Sequence, residues 1–202
     1  MRCINDIYQE NLKNCVVVLG NFDGLHKGHL SLLDKAKEIA GLNNLNTAFF
    51  TFHPHPTHVL PVKEVELISS DDEKQHVAEQ EGMDFYIQFP FTFETMSMEA
   101  EDFICEILIK HLDVKAIVVG EDYSFGKGRK GNITMLKDLE KKYGYKLYAL
   151  EKLELNDRVI SSTWIREVID AADMEKASEL MGREYFITGT VVKGAQLGRT
   201  IG

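Results

Sequence analysis

Five short apolar runs, separated by amphipathic segments, constrain the fold of this chain more than any other feature. They occupy residues 15–19, 47–52, 84–89, 115–119 and 146–150. Each is rich in β-branched or aromatic residues, too short for a typical helix, and largely apolar at successive positions. Strands that are buried on both faces of a sheet have this pattern.

The segments between these runs carry helix signals. Residues 30–40 have helical apolar spacing, and Gly41 follows where a C-cap would fall. Ser70 and Glu73 have the spacing of a capping box, while residues 100–112 and 133–143 predict two more helices, the second closed by Gly144. Strands alternating with helices predict a doubly wound, Rossmann-like α/β domain, with a parallel sheet and helices on both faces.

Composition excludes several classes of function. The 202 residues contain 23 Lys and Arg against 32 Asp and Glu, a formal net charge of −9, which argues against non-specific nucleic-acid binding. No apolar run approaches the roughly 20 residues of a membrane span. Asn5 and Asp6 stand where a signal peptide would be apolar, and the three cysteines form no CxxC pair. We expect a cytoplasmic protein without nucleic-acid or membrane partners.

The pattern changes near residue 186. Residues 184–193 alternate roughly like an antiparallel strand, and glycines recur at 189, 194, 198 and 202. We therefore predict an α/β domain over residues 1–185 and, over 186–202, the start of a β-barrel domain. So short a segment cannot bury a core of its own, so it should be mobile or lean on the first domain.

The turn after the first predicted strand is the strongest candidate site. It reads GNFDGLHKGH over residues 20–29, and a helix follows at once. Glycines let the backbone approach a ligand, and the helix N-terminus offers free N–H groups to a phosphate. His26 and His29 have the spacing to donate to the same anion. Neither a P-loop nor a GxGxxG pattern is present. The alternative is two histidines in an ordinary surface turn.

Two further clusters follow other strand ends. Residues 120–131 hold Lys127, Arg129 and Lys130 among four glycines, which predicts a ligand-clamping loop or else a solvated basic loop. Residues 160–166 read ISSTWIR, three hydroxyls at a helix start with Arg166 beyond them. That arrangement predicts a second phosphate grip, unless the hydroxyls only cap the helix.

A histidine-rich segment, His53, His55 and His58, invites a metal interpretation. No cysteine or carboxylate adjoins it in sequence, and its prolines disturb regular ligand spacing. We therefore predict a rigid wall of the same pocket, with His55 near a polyphosphate, rather than a zinc site.

The first cluster resembles the HxGH signature of the nucleotidylyltransferase superfamily. Together with TFHPHP at 51–56, VVGEDYSFGKGRKG at 118–131 and ISSTWIR at 160–166, the chain resembles the prokaryotic FAD synthetase module of bifunctional riboflavin kinase/FAD synthetases, over residues 15 to about 185. The tail is similar to the opening of that family's kinase barrel. Because the kinase's later motifs would lie beyond residue 202, the resemblance implies no flavokinase activity for this chain.

The resemblance implies a reaction, FMN + ATP giving FAD + pyrophosphate, by in-line attack of the FMN phosphate on the α-phosphorus. Mg²⁺ bound to ATP is expected from phosphoryl-transfer chemistry in general, and no residue is assigned as its ligand. The sequence does not indicate an oligomeric state. The catalytic residues that the resemblance implies are His26, His29, Asn21 and Arg166. The ATP-binding residues would be Gly20, Phe22, Asp23, Gly24, Gly28, Ser161, Ser162 and Thr163. The flavin-binding residues would be His55, Asp122, Phe125, Gly126 and Arg129.

The chain departs from the family pattern at Leu25, Tyr123 and Ser124, where valine, phenylalanine and arginine are common. Two other functions stay open. One is an HxGH transferase acting on nicotinate mononucleotide, phosphopantetheine or a cytidylyl acceptor. The other is a non-catalytic nucleotide- or metal-binding regulator that uses the histidine-rich segment as a sensor.

Overall fold

The predicted apolar runs form strands of one parallel sheet in the computed structural model, which describes residues 1–10, 12–60 and 65–194. The strands are β1 (Arg2–Ile4), β2 (Cys15–Leu19), β3 (Asn46–His53), β4 (Phe85–Pro90), β5 (Val114–Gly120), β6 (Ser124–Phe125), β7 (Gly131–Asn132), β8 (Lys146–Leu150), β9 (Glu154–Leu155) and β10 (Arg158–Val159). The main sheet has six strands in the order β1-β4-β3-β2-β5-β8, all parallel. β6 with β7, and β9 with β10, form small antiparallel ribbons.

The helices lie between the strands, as predicted. They are α1 (Lys27–Asn43), α2 (Asp71–Gln80), α3 (Phe93–Met96), α4 (Ala100–Asp102), α5 (Ile133–Tyr143), α6 (Ser162–Asp170) and α7 (Met174–Met181). α4 continues directly as a π-helix, Phe103–His111, where an α-helix was predicted. Single 3₁₀ turns span Ile7–Gln9, Pro56–His58 and Lys127–Arg129. None of the helices described is long and apolar enough to span a bilayer.

Helix ends test three predictions about caps. The capping box is confirmed, with Ser70 and Glu73 each bonded to the other's backbone N–H. Gly144, with a left-handed backbone, closes α5 as predicted. The C-cap predicted at Gly41 is wrong: α1 runs through this residue and ends at Asn44, whose φ of 52° and N–H bond to the Ala40 carbonyl make it the cap. Asparagine tolerates this conformation nearly as well as glycine.

Alternate residues of the central strand face opposite sides of the sheet. Val16 lies in a core cluster with Leu33 of α1 and Val77 of α2. Val17 lies in another cluster with Ile104 of the π-helix. Helices therefore cover both faces, and the doubly wound α/β prediction is confirmed. A third cluster joins α6 and α7 to Ile68.

The strand order places the site. From β2 the chain adds β3 and β4 on one side, whereas β5 and β8 lie on the other. The order therefore reverses between β2 and β5, and a crevice opens at such a point beyond the carboxyl ends of the strands. The turn after β2 and the loop after β5 border this crevice.

The strand predicted over residues 184–193 does not form, because no described segment pairs with it. The beginning of this stretch packs on the α/β unit instead. The Phe186 ring lies 5.8 Å from that of His76, and the Thr188 backbone N–H donates to Glu73 Oε1 over 2.5 Å. Val191 is fully exposed. A β-barrel beginning at residue 186 stays a prediction, and residues 198 and 202 lie outside the part described.

Candidate active site

A cavity of about 520 Å³ lies at the switch point. Residues from the turn after β2, the loop after β5, the ends of β3 and β4, and the start of α6 line it. The predicted site residues that line it are Gly20, Asn21, Phe22, Asp23, His29, His55, Asp122, Phe125, Gly126, Arg129, Ser162 and Arg166. The predicted residues that do not line it, as the described part of the chain forms it, are His26, Gly24, Gly28, Ser161 and Thr163.

The backbone of the turn after β2 is tightly wound. Phe22, Gly24 and Leu25 have φ values of 51°, 80° and 41°. A Cβ on Gly20 would lie 2.7 Å from the Phe22 ring, so only glycine fits there. Phe22 itself is 1% exposed and packs 4.3 Å from the Phe49 ring. Two buried side chains, Phe22 and Leu25, thus anchor the turn, and Phe22 supports the site more than it contacts the cavity.

His26 and His29 have different positions. His26 is the N-cap of α1, and its Nδ1 accepts the His29 backbone N–H over 3.3 Å. The two rings stack with centroids 3.7 Å apart. Only His29 borders the cavity, while His26 lies behind it. A Cβ on Gly28 would stand 3.1 Å from His26 Nδ1, a tight contact that would press on this ring. The sequence predicted that both rings face one anion; the structure puts one of them at the wall.

Burial keeps both imidazoles neutral. Desolvation, followed by the positive charge of Arg183, lowers the pKa of His26 from 6.5 to about 4. Desolvation, with smaller effects of His26 and Arg183, lowers the pKa of His29 well below its usual value. Because His26 Nδ1 accepts a hydrogen bond, its proton is assigned to Nε2. His29 Nδ1 is buried without a partner among the described residues.

The start of α6 meets the turn after β2. The Ser162 hydroxyl donates to the Asp23 carbonyl over 2.8 Å, while Ser161 Oγ is the helix cap and accepts the Trp164 N–H. The capping interpretation therefore holds for Ser161. Ser162 has committed its hydroxyl proton, so its free group toward an anion is the backbone N–H of the first helical turn.

Arg166 is held by two acceptors 143 and 100 residues away in sequence. Its Nε donates to the Glu66 carbonyl over 2.7 Å, and its Nη2 pairs with the Asp23 carboxylate. Asp23 also accepts the backbone N–H groups of Ile68 and Ser69, over 2.8 and 3.2 Å. This carboxylate is 5% exposed, so it orients Arg166 rather than offering a group to a phosphate.

The loop after β5 folds as the small β6/β7 ribbon. Gly126, at φ 70°, lies so close to the start of α4 that a Cβ would be 2.6 Å from the Ala100 Cα. Ser124 Oγ accepts the Arg129 Nε–H over 2.7 Å and so orients the guanidinium. Asp122 pairs with Lys152 over 2.7 Å. Ser124 thus acts through Arg129, a role that the sequence pattern did not predict.

An aromatic group lines the cavity, and of its members the sequence analysis predicted only Phe125 as a site residue. It consists of Phe52, Phe89, Phe91, Phe103 and Phe125, linked ring to ring at centroid distances of 5.5–6.5 Å. Phe52 and Phe89 belong to runs that were predicted as buried strands, which gave no reason to place them at a site. Their signal was their place at the carboxyl ends of strands.

The three histidines of the histidine-rich segment make different contacts. His53 Nδ1 pairs with Asp71, whereas His55 Nδ1 bonds Thr57 Oγ1 over 2.8 Å. Burial lowers the pKa of His55. The His55 and His58 rings are 6.2 Å apart. In the described parts of the chain, no three His, Cys, Asp or Glu side chains are grouped to hold a metal ion.

The curated proteins to which this chain is similar include two that carry the same name. The chain is 32% identical over 203 residues to a bifunctional riboflavin kinase/FMN adenylyltransferase of Escherichia coli, with 100% of this chain and 65% of that protein covered. It is 38% identical over 199 residues to the Bacillus subtilis protein of the same name, with 97% and 62% covered. The chain thus spans slightly less than two thirds of these relatives.

A solved structure also aligns over 98% of this chain and 65% of its own, with a TM-score of 0.84 and 30% identity. That protein, from Streptococcus pneumoniae, is described as a macrolide-efflux protein. Residues 8–164 match the model of the FAD synthetase family, and this match includes the turn after β2, the loop after β5 and the start of α6. The chain belongs to the FAD synthetase family.

Proposed function

We propose that this chain transfers the adenylyl group of ATP to FMN, giving FAD and pyrophosphate. One observation supports the proposal: one cavity at the switch point is bordered both by polar side chains near two helix N-termini, His29 of α1 with Ser162 and Arg166 of α6, and by a set of aromatic rings. Phosphates need the first set, and a flavin ring needs the second. The curated relatives bear the name of this activity.

The phosphate-binding side is formed by α1, α6 and Arg166. His29 is a neutral donor at the cavity wall, and Asn21 lies beside it at the strand end. Arg166 uses two of its five N–H groups on Glu66 and Asp23, which leaves three for a phosphate. The backbone N–H of Ser162 completes this side, where the helix dipole also favours an anion.

These groups offset the electrostatic repulsion between the two negatively charged substrates. Two unit charges 4 Å apart repel by about 4 kcal/mol at an effective dielectric of 20. Each charge-assisted hydrogen bond offsets about 1.5–3 kcal/mol of such a cost. The FMN phosphate, with a second pKa of about 6, is already mostly dianionic at neutral pH and needs no general base. We infer that catalysis rests on positioning and on stabilising charge at the α-phosphoryl group.

The flavin-binding side is formed by the aromatic group and the loop after β5. Phe125, on β6, is 5% exposed and stacks with Tyr123. Arg129, oriented by Ser124, is the cation of this loop at the cavity. Gly126 lets the loop lie against α4. We assign His55 and Asp122 to the rim of the same side.

Mg²⁺ enters this proposal as part of the nucleotide substrate. The two cavity carboxylates are engaged elsewhere, Asp23 with Arg166 and Asp122 with Lys152. A protein-held magnesium ion therefore does not fit the side chains described. A magnesium ion on a polyphosphate ordinarily keeps several waters and few protein ligands.

The test is direct product formation. The purified chain is incubated with ATP, Mg²⁺ and FMN, and FAD is separated by chromatography while pyrophosphate release is followed. Nicotinate mononucleotide, phosphopantetheine and riboflavin serve as acceptor controls, and CTP serves as the donor control. FAD formed in step with pyrophosphate from FMN alone is expected. Turnover with another acceptor, or stoichiometric zinc without turnover, would overturn the proposal.

A further inference from the structure

Arg183 forms hydrogen bonds to the turn after β2, although it lies 158 and 159 residues beyond its two partners in that turn. It lies two residues beyond α7 and outside residues 8–164, the part that matches the family model. Its Nη2 donates to the Gly24 carbonyl over 2.7 Å, and its Nη1 donates to the Leu25 carbonyl over 2.7 Å. A longer contact of 3.4 Å joins Nη1 to the Met181 carbonyl. The planar guanidinium thus bridges two consecutive carbonyls.

The two carbonyls belong to the most constrained part of the turn. Gly24 and Leu25 are both buried, and both have a left-handed backbone, with φ of 80° and 41°. Buried carbonyls need a donor, and a left-handed non-glycine residue persists only when its surroundings hold it. Because His26 follows directly, the orientation of this dipeptide sets how the chain enters α1.

We propose that Arg183 is a positioning residue for the transfer reaction: by holding the carbonyls of Gly24 and Leu25, it fixes the direction in which α1 begins and so aims His29 at the cavity. This inference rests on the proposed adenylyl transfer. Arg183 does not border the cavity that the described residues form, so it acts through the turn and not by touching substrate.

The charge of Arg183 gives the same residue an electrostatic effect. Among the described residues, the hydrogen bonds of Arg183 go to carbonyl oxygens and not to a carboxylate. Burial lowers the pKa of Arg183, and the negative charge of Glu81 acts in the opposite direction. Its charge acts on both imidazoles and, after burial, lowers the pKa of His26. His29 is the other titratable group facing His26, from within α1. Arg183 thus helps to keep the stacked pair unprotonated, with His26 able to accept the α1 backbone N–H.

The experiment compares Arg183→Met and Arg183→Lys with the wild type and with Arg2→Met, a surface arginine paired to Glu10 on the edge of the sheet. FAD formation gives kcat and both KM values, NMR titration gives the histidine pKa values, and thermal unfolding reports the fold. For Arg183→Met we expect kcat to fall by about 10- to 100-fold, since a small misplacement of a reacting group has effects of this size. The KM for FMN should stay within about twofold of wild type, because the aromatic side is untouched.

The pKa of His26 should rise in Arg183→Met and stay near its wild-type value in Arg183→Lys, which keeps the charge. Arg183→Lys should recover part of the lost turnover, and Arg2→Met should match the wild type throughout. A merely structural arginine would change the melting temperature without this separation of kcat from KM or the histidine titration.

The outcomes separate the two proposals. Wild-type turnover in a folded Arg183→Met variant overturns the inference and leaves the proposed function standing. If Arg183→Met does not fold, full wild-type turnover of Arg183→Lys overturns it. If the wild-type chain forms no FAD, the proposed function fails, and an unchanged His26 pKa in Arg183→Met then overturns the inference as well.

Discussion

His26 and His29 lie in the same turn and helix start but have different structural roles. His26 Nδ1 accepts a backbone N–H as the N-cap of α1, so the main structural role of this ring is to stabilise the start of the helix. His29 presents its ring to the cavity with His26 stacked behind it. The pair therefore separates into one histidine that lines the cavity, which we propose acts on the ligand, and one that packs behind it and caps the helix. Substitutions should distinguish these two roles.

Replacing His29 by alanine removes the cavity-facing imidazole while leaving the cap intact. We expect His29→Ala to lower the kcat for FAD formation by about 10²–10³, the usual loss for one donor to a transition state. The melting temperature should fall only modestly, because the variant loses the packing of this ring on His26 and Phe22 but no hydrogen bond of Nδ1 among the described residues. Near-normal turnover in the folded variant would contradict the assignment of this ring to the reacting phosphate.

His26 can be tested with two replacements that differ in capping ability. Asparagine is a good N-cap and alanine is a poor one, and the loss of a cap costs about 0.5–2 kcal/mol. We expect His26→Asn to unfold at nearly the wild-type urea concentration and His26→Ala at a lower one. Both should turn over more slowly than wild type, because neither supports the His29 ring. Equal stability of the two variants would argue against the cap.

Tyr123 is a second residue whose contacts predict an unusual result. Its hydroxyl is buried without a partner among the residues described, and burial raises the pKa of this tyrosine. A buried polar group without a partner costs about 1–3 kcal/mol. We therefore expect Tyr123→Phe to increase the free energy of unfolding by about 1 kcal/mol in urea titrations.

Tyr145 provides the matched control for that substitution. Its side chain is 3% exposed, and its hydroxyl donates to the Leu136 carbonyl over 2.5 Å. Tyr145→Phe should therefore destabilise the fold by about 1 kcal/mol, the opposite sign. If both variants were destabilised alike, the Tyr123 hydroxyl would have a partner that the described contacts lack.

At the scale of elements, the loop after β5 depends on one glycine. Gly126→Ala must place a methyl group 2.6 Å from the Ala100 backbone at a φ of 70°. We expect this variant to raise the KM for FMN and lower the melting temperature, because the ribbon must move away from α4. Gly128→Ala is the control: its φ of 60° is similar, but no atom lies within 4 Å of the added methyl.

The difference between the two glycine variants isolates the contact with α4 from the backbone preference they share. The backbone preference alone costs about 1–2 kcal/mol for alanine. A Gly128→Ala variant as damaged as Gly126→Ala would show that the loop's conformation, and not its approach to α4, limits flavin binding.

Elements differed in how far the sequence could predict them. β2 is a continuous β-branched run and was predicted to the residue, and the capping box of α2 was equally explicit. β1 has three residues at the sheet edge and offers no such run. The π-helix was not predicted. Apolar residues spaced three and four apart are compatible both with the i+4 hydrogen bonds of an α-helix and with the i+5 hydrogen bonds of a π-helix.

Within the site, most residues that line the cavity could be predicted from local motifs, whereas long-range pairing could not. Glycines, hydroxyls and histidines at strand ends indicated the anion-binding turn. The pairing of Asp23 with Arg166 and the grip of Arg183 on Gly24 join residues more than 140 positions apart, and no local pattern records them. Most of the aromatic group was not predicted for a related reason. In the sequence, a phenylalanine at the end of a strand does not show whether its ring will pack against a helix or line a cavity.

At the scale of the whole molecule, the sheet lets distant segments share one electrostatic environment. The turn after β2 receives Arg166 from α6 and Arg183 from beyond α7, so two guanidinium groups converge on a chain of net charge −9. Protonating histidines that are buried beside this positive charge costs free energy, and the pKa of each is therefore lowered. The stability of the entire fold should therefore depend on pH in a range where surface carboxylates do not titrate.

The sign of that dependence follows from the histidines. His26 has a pKa of about 4 when folded against an ordinary value of 6.5, so between these values the unfolded chain binds the extra proton. Stability is fully present above about pH 6.5 and is lost as pH falls toward 4, by an amount on the order of 3 kcal/mol for this one group. His29, with its lowered pKa, acts in the same direction. The carboxylates with lowered pKa, such as Asp71, add their loss only below this range.

Urea denaturation at several pH values between about 7 and 5 checks this prediction, with His26→Asn as the matched variant. The free energy of unfolding should fall steadily in the wild type across that interval. It should fall with a shallower slope in His26→Asn, because one of the histidines that must be protonated on unfolding has been removed. A wild-type stability that is flat from pH 7 to pH 5 would mean that the stacked imidazoles are reachable by protons in the folded state, and with it the argument that they are neutral donors toward a phosphate would fail.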